Sequence, residues 1–166
     1  MSIDTILARR SIRKYTGRPV GDGEIGALLE AGMSAPSASN RKPWHFVVVR
    51  NPETLAGLAD AHPHGKMLRE AAAAIAVCGD TGISPDYWVQ DCSASTENIL
   101  LAVTALGLGA VWLGCHPRAD RVAAVREILG IPEQIGILSL ISIGHPAEEK
   151  EARTQYDEAR VHRESW

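Results

Sequence analysis

A chain of 166 residues, 45% hydrophobic and 22% charged, is long enough to bury a core and has the composition of an ordinary soluble protein. Its formal charge of -3 removes the electrostatic case for a nucleic-acid partner, which requires a strongly basic face. Cys78, Cys92 and Cys115 are scattered, form no C-x-x-C pair, and read as reduced thiols of a cytoplasmic protein. Residues 1–10 lack the apolar run of a signal peptide, and residues 99–113 are too short and too glycine-interrupted to span a bilayer. No repeat, low-complexity tract or linker divides the chain, and only the polar stretch after Pro146 changes in texture. Residues 1–166 are therefore expected to form one domain.

The chain opens with a short apolar, helix-like segment (Ile3, Ile6, Leu7), followed by Arg9-Arg10-Ser11-Ile12-Arg13. Guanidinium groups keep their charge and present a planar fork of donors suited to phosphate, and a serine hydroxyl adds another donor. The competing reading is a solvated basic turn. Asp22 is placed to cap a helix with Ile25, Leu28, Leu29 and Met33 on one face. Ala35-Pro36 ends it, because the residue before proline is pushed out of the helical region.

Residues 37–43 read as a loop and Trp44–Val49, aromatic and β-branched, as a strand. Asn51-Pro52 opens a helix that buries Leu55, Leu58 and Ala59. A loop at 62–65 and a helical turn at 66–70 follow. Residues 71–78 favour helix through alanine but strand through Ile75-Ala76-Val77-Cys78 before Gly79-Asp80, and strand is chosen.

Residues 85–108 form the longest helical candidate, polar in its first half and apolar nearly all round from Ile99, with Gly107 and Gly109 as stops. Such a helix is either the buried centre of a monomer or part of a surface shared with a partner. A short strand at 110–113, an amphipathic helix at 120–129 closed by Gly130 and Pro132, and a strand at 135–143 complete the series. Two helices precede the first strand, and neither G-x-G-x-x-G nor G-x-x-x-x-G-K-[ST] occurs, which excludes a doubly wound dinucleotide or P-loop site.

In order and spacing, these stretches resemble the nitroreductase family of FMN-dependent oxidoreductases over almost the whole chain. The marks are Arg9-Arg10-Ser11-Ile12-Arg13, then Ala35-Pro36-Ser37-Ala38-Ser39-Asn40 with Pro43-Trp44-His45-Phe46. Next come Gln90-Asp91, Glu97-Asn98-Ile99-Leu100-Leu101-Ala102, Gly107-Leu108-Gly109 and Trp112-Leu113-Gly114. Ile143-Gly144-His145-Pro146, Tyr156-Asp157-Glu158, Val161-His162 and Trp166 close the set. The resemblance implies an α+β, three-layer α/β/α fold with a central mixed sheet flanked by helices. It also implies an intertwined homodimer with FMN in a groove between the subunits.

Carried over residue by residue, the resemblance gives Arg9 and Ser11 the FMN phosphate, with Arg10 alongside and Arg13 nearer the ribityl chain or pyrimidine edge. Arg153 matches the family's late phosphate-binding arginine, with Lys150 as a helper; the competing reading of both is a solvated tail. Pro36, Ser37 and Ala38 would meet the flavin from the other subunit, with Asn40 nearby, unless the segment is a plain turn. Lys66 occupies the place of a lysine near the pyrimidine, where a cation stabilises the charge of the reduced ring. Pro63 and His64 stand where some relatives carry Asn and Glu. Leu113 and Gly114 would bring backbone N–H groups towards flavin N5.

Trp112 reads as core packing and Cys115 as an inert buried thiol. Glu97 is a lone carboxylate without a partner for acid catalysis. His45, His116 and His145 make no metal set. The implied activity is ping-pong hydride transfer from NADH or NADPH through FMN to a quinone, nitroaromatic or other small acceptor. No protein side chain acts as a catalytic nucleophile, and neither nucleic acid nor membrane takes part. Two rivals remain: a flavin-destroying or dehalogenating relative, for which residues 62–70 and 79–89 are the roomy lid candidates, and a non-enzymatic FMN-holding or regulatory module.

Overall fold

The structure, a computed structural model, describes residues 3–166. Among the described residues are five α-helices: α1 (Ile3–Ala8), α2 (Asp22–Met33), α3 (Pro52–Ala61), α4 (Trp88–Ala105) and α5 (Ala119–Leu129). Four strands are present: β1 (Trp44–Val49), β2 (Ala73–Asp80), β3 (Gly109–Gly114) and β4 (Ile135–Gly144). The alanine-rich stretch is a strand because it is buried on both faces.

The sheet order is β1-β2-β4-β3, and every strand pair is antiparallel. Parallel pairing enters only as an isolated bridge between Ser11 and Ala110. The sheet is thus mixed only where the N-terminal segment joins its β3 edge.

Helices cover both faces. Alternate residues of β2 point to opposite sides: Ala73, Ile75 and Val77 into a core with α2 and α4, and Ala74, Ala76 and Cys78 into a second core with α3 and α5. A register shift between Val77 and Cys78 leaves Leu138 of β4 as the extra residue of a bulge. On β4, Leu138 and Ile141 therefore serve the first core while Ile137 and Leu140 serve the second.

Asp22 does not cap α2. Glu24 reaches back to accept the Gly21 N–H at 2.7 Å, while the Asp22 carboxylate takes Arg50 across the surface at 2.5 Å. Met33 is exposed, and Gly32 instead lies against Ile99 and Ser95 of α4. The long central helix starts at Trp88 rather than at 85, because residues 81–87 form turns. It stops where Gly107 adopts a left-handed φ of 70° and the Leu108 N–H bonds the Val103 carbonyl at 2.9 Å. Ile99, Leu100, Ala102 and Val103 of its apolar half are buried, while Leu101 is half-buried and Ala105 and Leu106 are exposed.

Candidate functional site

The N-terminal segment is strapped to the β3 edge. The Ile12 N–H donates to the Ala110 carbonyl at 2.8 Å. The buried Tyr15 hydroxyl lies within reach of the Ile12 carbonyl (3.0 Å) and the Ser142 hydroxyl (3.0 Å), and burial pushes its pKa up to about 12. Beyond β4 the chain returns alongside this strap. The Ala147 N–H donates to the Lys14 carbonyl (2.9 Å) and the Thr16 N–H to the His145 carbonyl (3.0 Å). The Arg13 N–H donates to Glu148 Oε1 at 2.6 Å and, with Lys150, holds that carboxyl below the usual carboxylate range.

Between strap and tail lies a groove of about 890 Å³ whose lining includes Arg9, Arg10, Ser11, Arg13, Lys150 and Arg153. The five residues expected at the phosphate end are thus brought together from opposite ends of the chain, with Arg13, expected nearer the ribityl chain or pyrimidine edge, beside them. Their engagements differ. Arg10 donates to the carbonyls of Arg9 (2.5 Å), Glu151 (2.8 Å) and Arg153 (3.4 Å), so its guanidinium clamps the tail rather than facing an incoming anion. Lys150 Nζ donates to the Ser11 carbonyl at 2.6 Å and pairs with Glu148 at 3.5 Å. Arg9 pairs with Glu97 of α4 at 3.4 Å. The side chains of Arg13 and Arg153 have no hydrogen-bond or ion-pair partner among the described residues.

The segment holding Pro36, Ser37, Ala38 and Asn40 does not line this groove. It is a strained turn beside the start of α4, with Ser39, Asn40 and Lys42 all at positive φ (51°, 55° and 50°). Asp91, 4% exposed, holds it there. One carboxylate oxygen accepts the Ala38 N–H at 2.8 Å and the other the Ser84 hydroxyl at 3.0 Å. The Lys42 N–H closes the turn on the Ser37 hydroxyl at 3.0 Å. Asp91 and Glu97 lie about 9 Å apart along the helix axis and on different faces. Sequence reasoning gave Asp91 no task. The only local signal is its place in the Gln90-Asp91 pair, one of the marks of the family resemblance.

Leu113 and Gly114 sit at the end of β3, the edge strand. The Ala110 carbonyl points outward to Ile12, whereas the Cys115 N–H points inward to the Leu138 carbonyl at 2.9 Å. Strand alternation therefore turns the Leu113 N–H into the ladder and leaves the Gly114 N–H on the open edge. A Cβ at Gly114 would meet nothing within 4 Å, so space remains beside it for a flat group.

The Gly114 carbonyl accepts from His62 Nε2 (3.0 Å) and Arg121 (2.9 Å). His62, 2% exposed, accepts the His64 N–H on Nδ1 at 3.2 Å, which assigns it the neutral Nε2–H tautomer. Through His62 the loop leading to the exposed Lys66 is tied to the end of β3. In the sequence His62 reads only as part of a loop, because its partner lies 52 residues away.

Burial, then Arg121 and His64, lower the His62 pKa from its model-compound value of 6.5, against opposing effects of the Gly114 carbonyl and Asp120. A depressed folded-state pKa means that the unfolded chain binds the proton more readily. The stabilisation is present above pH 6.5 and is lost as pH falls through the folded value. Urea unfolding between pH 5 and 8 is expected to show stability rising with pH, with a shallower slope in His62→Gln. Equal slopes in the two proteins would remove His62 as the cause.

Cys78, Cys92 and Cys115 are buried free thiols. Burial pushes the first two up to about 12 and Cys115 to about 11, so none is a reactive thiolate near neutral pH. Trp112 packs against the α2–α4 core. His45 is exposed, and His116 stands edge-on to Trp88 at 5.0 Å. The described residues contain no group of three or more His, Cys, Asp or Glu placed to hold a metal, and no helix long and apolar enough to cross a membrane.

The sequence model of the Nitroreductase family matches residues 6–77 and 61–145. A protein of Archaeoglobus fulgidus, provisionally named NADH dehydrogenase/NAD(P)H nitroreductase, is 52% identical over 167 residues, covering 97% of this chain and 96% of its own length. The crystal structure of a Parabacteroides distasonis protein with the same provisional name superposes at a TM-score of 0.97 with 41% identity, covering 99% of this chain and 98% of that one. An FMN-dependent nitroreductase from Clostridium difficile superposes at 0.94 with 30% identity, covering 99% and 100%. The strap, the groove, the turn held by α4 and the β3 edge all lie in a chain that belongs to the nitroreductase family.

Proposed function

We propose that this chain is an FMN-dependent NAD(P)H oxidoreductase that passes electrons to a quinone, nitroaromatic or other small acceptor. The carrying observation is the groove of about 890 Å³ that gathers Arg9, Ser11, Arg13, Lys150 and Arg153 from opposite ends of the chain. The donor set fits a phosphorylated flavin. The uncommitted Arg153 guanidinium, the Arg9 guanidinium held by a single partly exposed carboxylate, and the Ser11 hydroxyl suit a phosphate dianion, with the uncommitted Arg13 beside them. When bound, FMN supplies a two-electron carrier between nicotinamide and acceptor.

The protein's part is placement and charge. Arg9, Ser11 and Arg153 hold the phosphate end, with Arg13 nearer the ribityl chain or pyrimidine edge. Gly114 contributes an outward N–H beside open space, and Lys66 an ammonium on the loop tied to it through His62. Pro36, Ser37, Ala38 and Asn40 belong to the same site through a second copy of the chain. Their absence from this chain's own groove supports a homodimer in which one protomer's turn covers its partner's cofactor. The exposure of Ile3 (70%) and Ile6 (55%), and of Leu106 at the end of α4, also favours a partner surface.

The test is an absorption spectrum of purified protein loaded with FMN, taken before and after NADH or NADPH without oxygen, alongside sedimentation. A flavin spectrum bleached by nicotinamide and restored by a quinone, on a dimer, is the expected result. Protein that quenches no FMN fluorescence overturns the reading. A bound flavin that neither nicotinamide bleaches would favour a non-enzymatic FMN-holding module.

A further inference from the structure

We propose that Glu97 is a specificity-determining residue: its carboxylate competes with the phosphate of the incoming cofactor for Arg9 and so limits how strongly the site prefers a phosphorylated flavin. The inference rests on the reading of the groove as the cofactor's phosphate end. Glu97 lies in the groove lining with five cationic side chains, and its Oε1 is 3.4 Å from Arg9 Nε. Of the other cations, Arg10 is spent on main-chain carbonyls and Lys150 on Ser11 and Glu148. Arg9 is therefore the groove guanidinium held by a side-chain carboxylate across the gap from α4.

Both members of the pair remain partly open to water, at 31% and 45% side-chain exposure, so a dissolved anion can reach them. A phosphate that recruits Arg9 either draws it from Glu97 or shares its guanidinium with it, and in both cases lies within a few ångströms of that carboxylate. The first cost is the exposed ion pair and the second is like-charge repulsion, each modest in a wet site. A neutral flavin without a phosphate bears neither cost. Glu97 thus acts against the anionic end of the ligand and is indifferent to its ring.

The experiment titrates FMN and riboflavin into wild type, Glu97→Gln and Glu97→Ala, following flavin fluorescence at low salt and at 0.5 M salt. Both variants are expected to bind FMN about twofold to fivefold more tightly at low salt, within the range an exposed ion pair commands. Riboflavin affinity stays within about twofold, and the FMN gain shrinks at high salt. Unchanged or weakened FMN binding overturns the proposal, as does equal tightening of riboflavin. Tightening in Glu97→Gln but not Glu97→Ala also overturns it, because the new amide would then be donating to the phosphate. Wild type that binds neither flavin overturns the functional reading itself, a result distinct from the others.

Discussion

Asp91→Ala is expected to cost about 3 kcal/mol of stability, a fall in melting temperature of roughly 6–12 °C for a chain of this size. The carboxylate is 4% exposed and satisfies the Ala38 N–H and the Ser84 hydroxyl at once. Truncation leaves both without their acceptor and opens a void at the start of α4. It also frees a turn in which Ser39, Asn40 and Lys42 are held at positive φ, a conformation that persists only where the surroundings over-determine it.

Asp91→Asn should cost less than about 1 kcal/mol, since its remaining oxygen can accept from Ala38 while its amide donates to Ser84. Limited trypsin digestion reports the turn directly. In Asp91→Ala the bond after Arg41, whose guanidinium donates to the Ile83 carbonyl at 3.1 Å, should be cut faster than in wild type or Asp91→Asn. Equal cutting in all three proteins would mean that the turn is held by something else.

Gly109→Ala is the second change expected to be severe, and it links the sheet to the groove. A Cβ there would stand 2.7 Å from Ile12 Cγ2 and 2.9 Å from Ile12 Cβ. Ile12 is 8% exposed and cannot swing away without lifting the strap, whose N–H bonds Ala110. Overpacking of this kind costs about 2 kcal/mol, or roughly 4–8 °C in melting temperature. The same strap carries Arg9, Ser11 and Arg13, so FMN affinity should fall by about tenfold or more, equivalent to at least ~1.4 kcal/mol.

Ile12→Ala removes the closest part of the clash, the contacts to Cγ2 and Cγ1, and leaves only the approach to Cβ; it also removes buried apolar area, so it is destabilising on its own. Combined with Gly109→Ala, the two changes should cost at least about 1 kcal/mol less than their sum, because they act on one contact. Strict additivity in thermal or urea unfolding would show that the strap does not depend on this close approach.

Local pattern indicated most of the kinds of element along the chain, and left only residues 71–78 divided between helix and strand. The aromatic and β-branched run at Trp44–Val49, the Asn51-Pro52 helix start and the glycine stop of α4 are short-range signals, written within a few residues of where they act. Motif order, through the family it resembles, also marked Arg9, Ser11, Arg13, Lys150 and Arg153, and the fold brings them to one groove.

The division of labour among those residues came only from tertiary structure. Arg10 looks like its neighbours in the sequence, yet carbonyls 141 and 143 residues away claim it. Asp91 finds its turn 53 residues back and His62 its strand end 52 residues on. The Leu138 bulge decides which face of β4 each later side chain serves. Which hydrogen-bond donor meets which acceptor depends on how the antiparallel sheet and α4 bring distant segments together. Residue type records only that a donor or acceptor exists, so engagement, unlike helix or strand, cannot be read from neighbours in the chain.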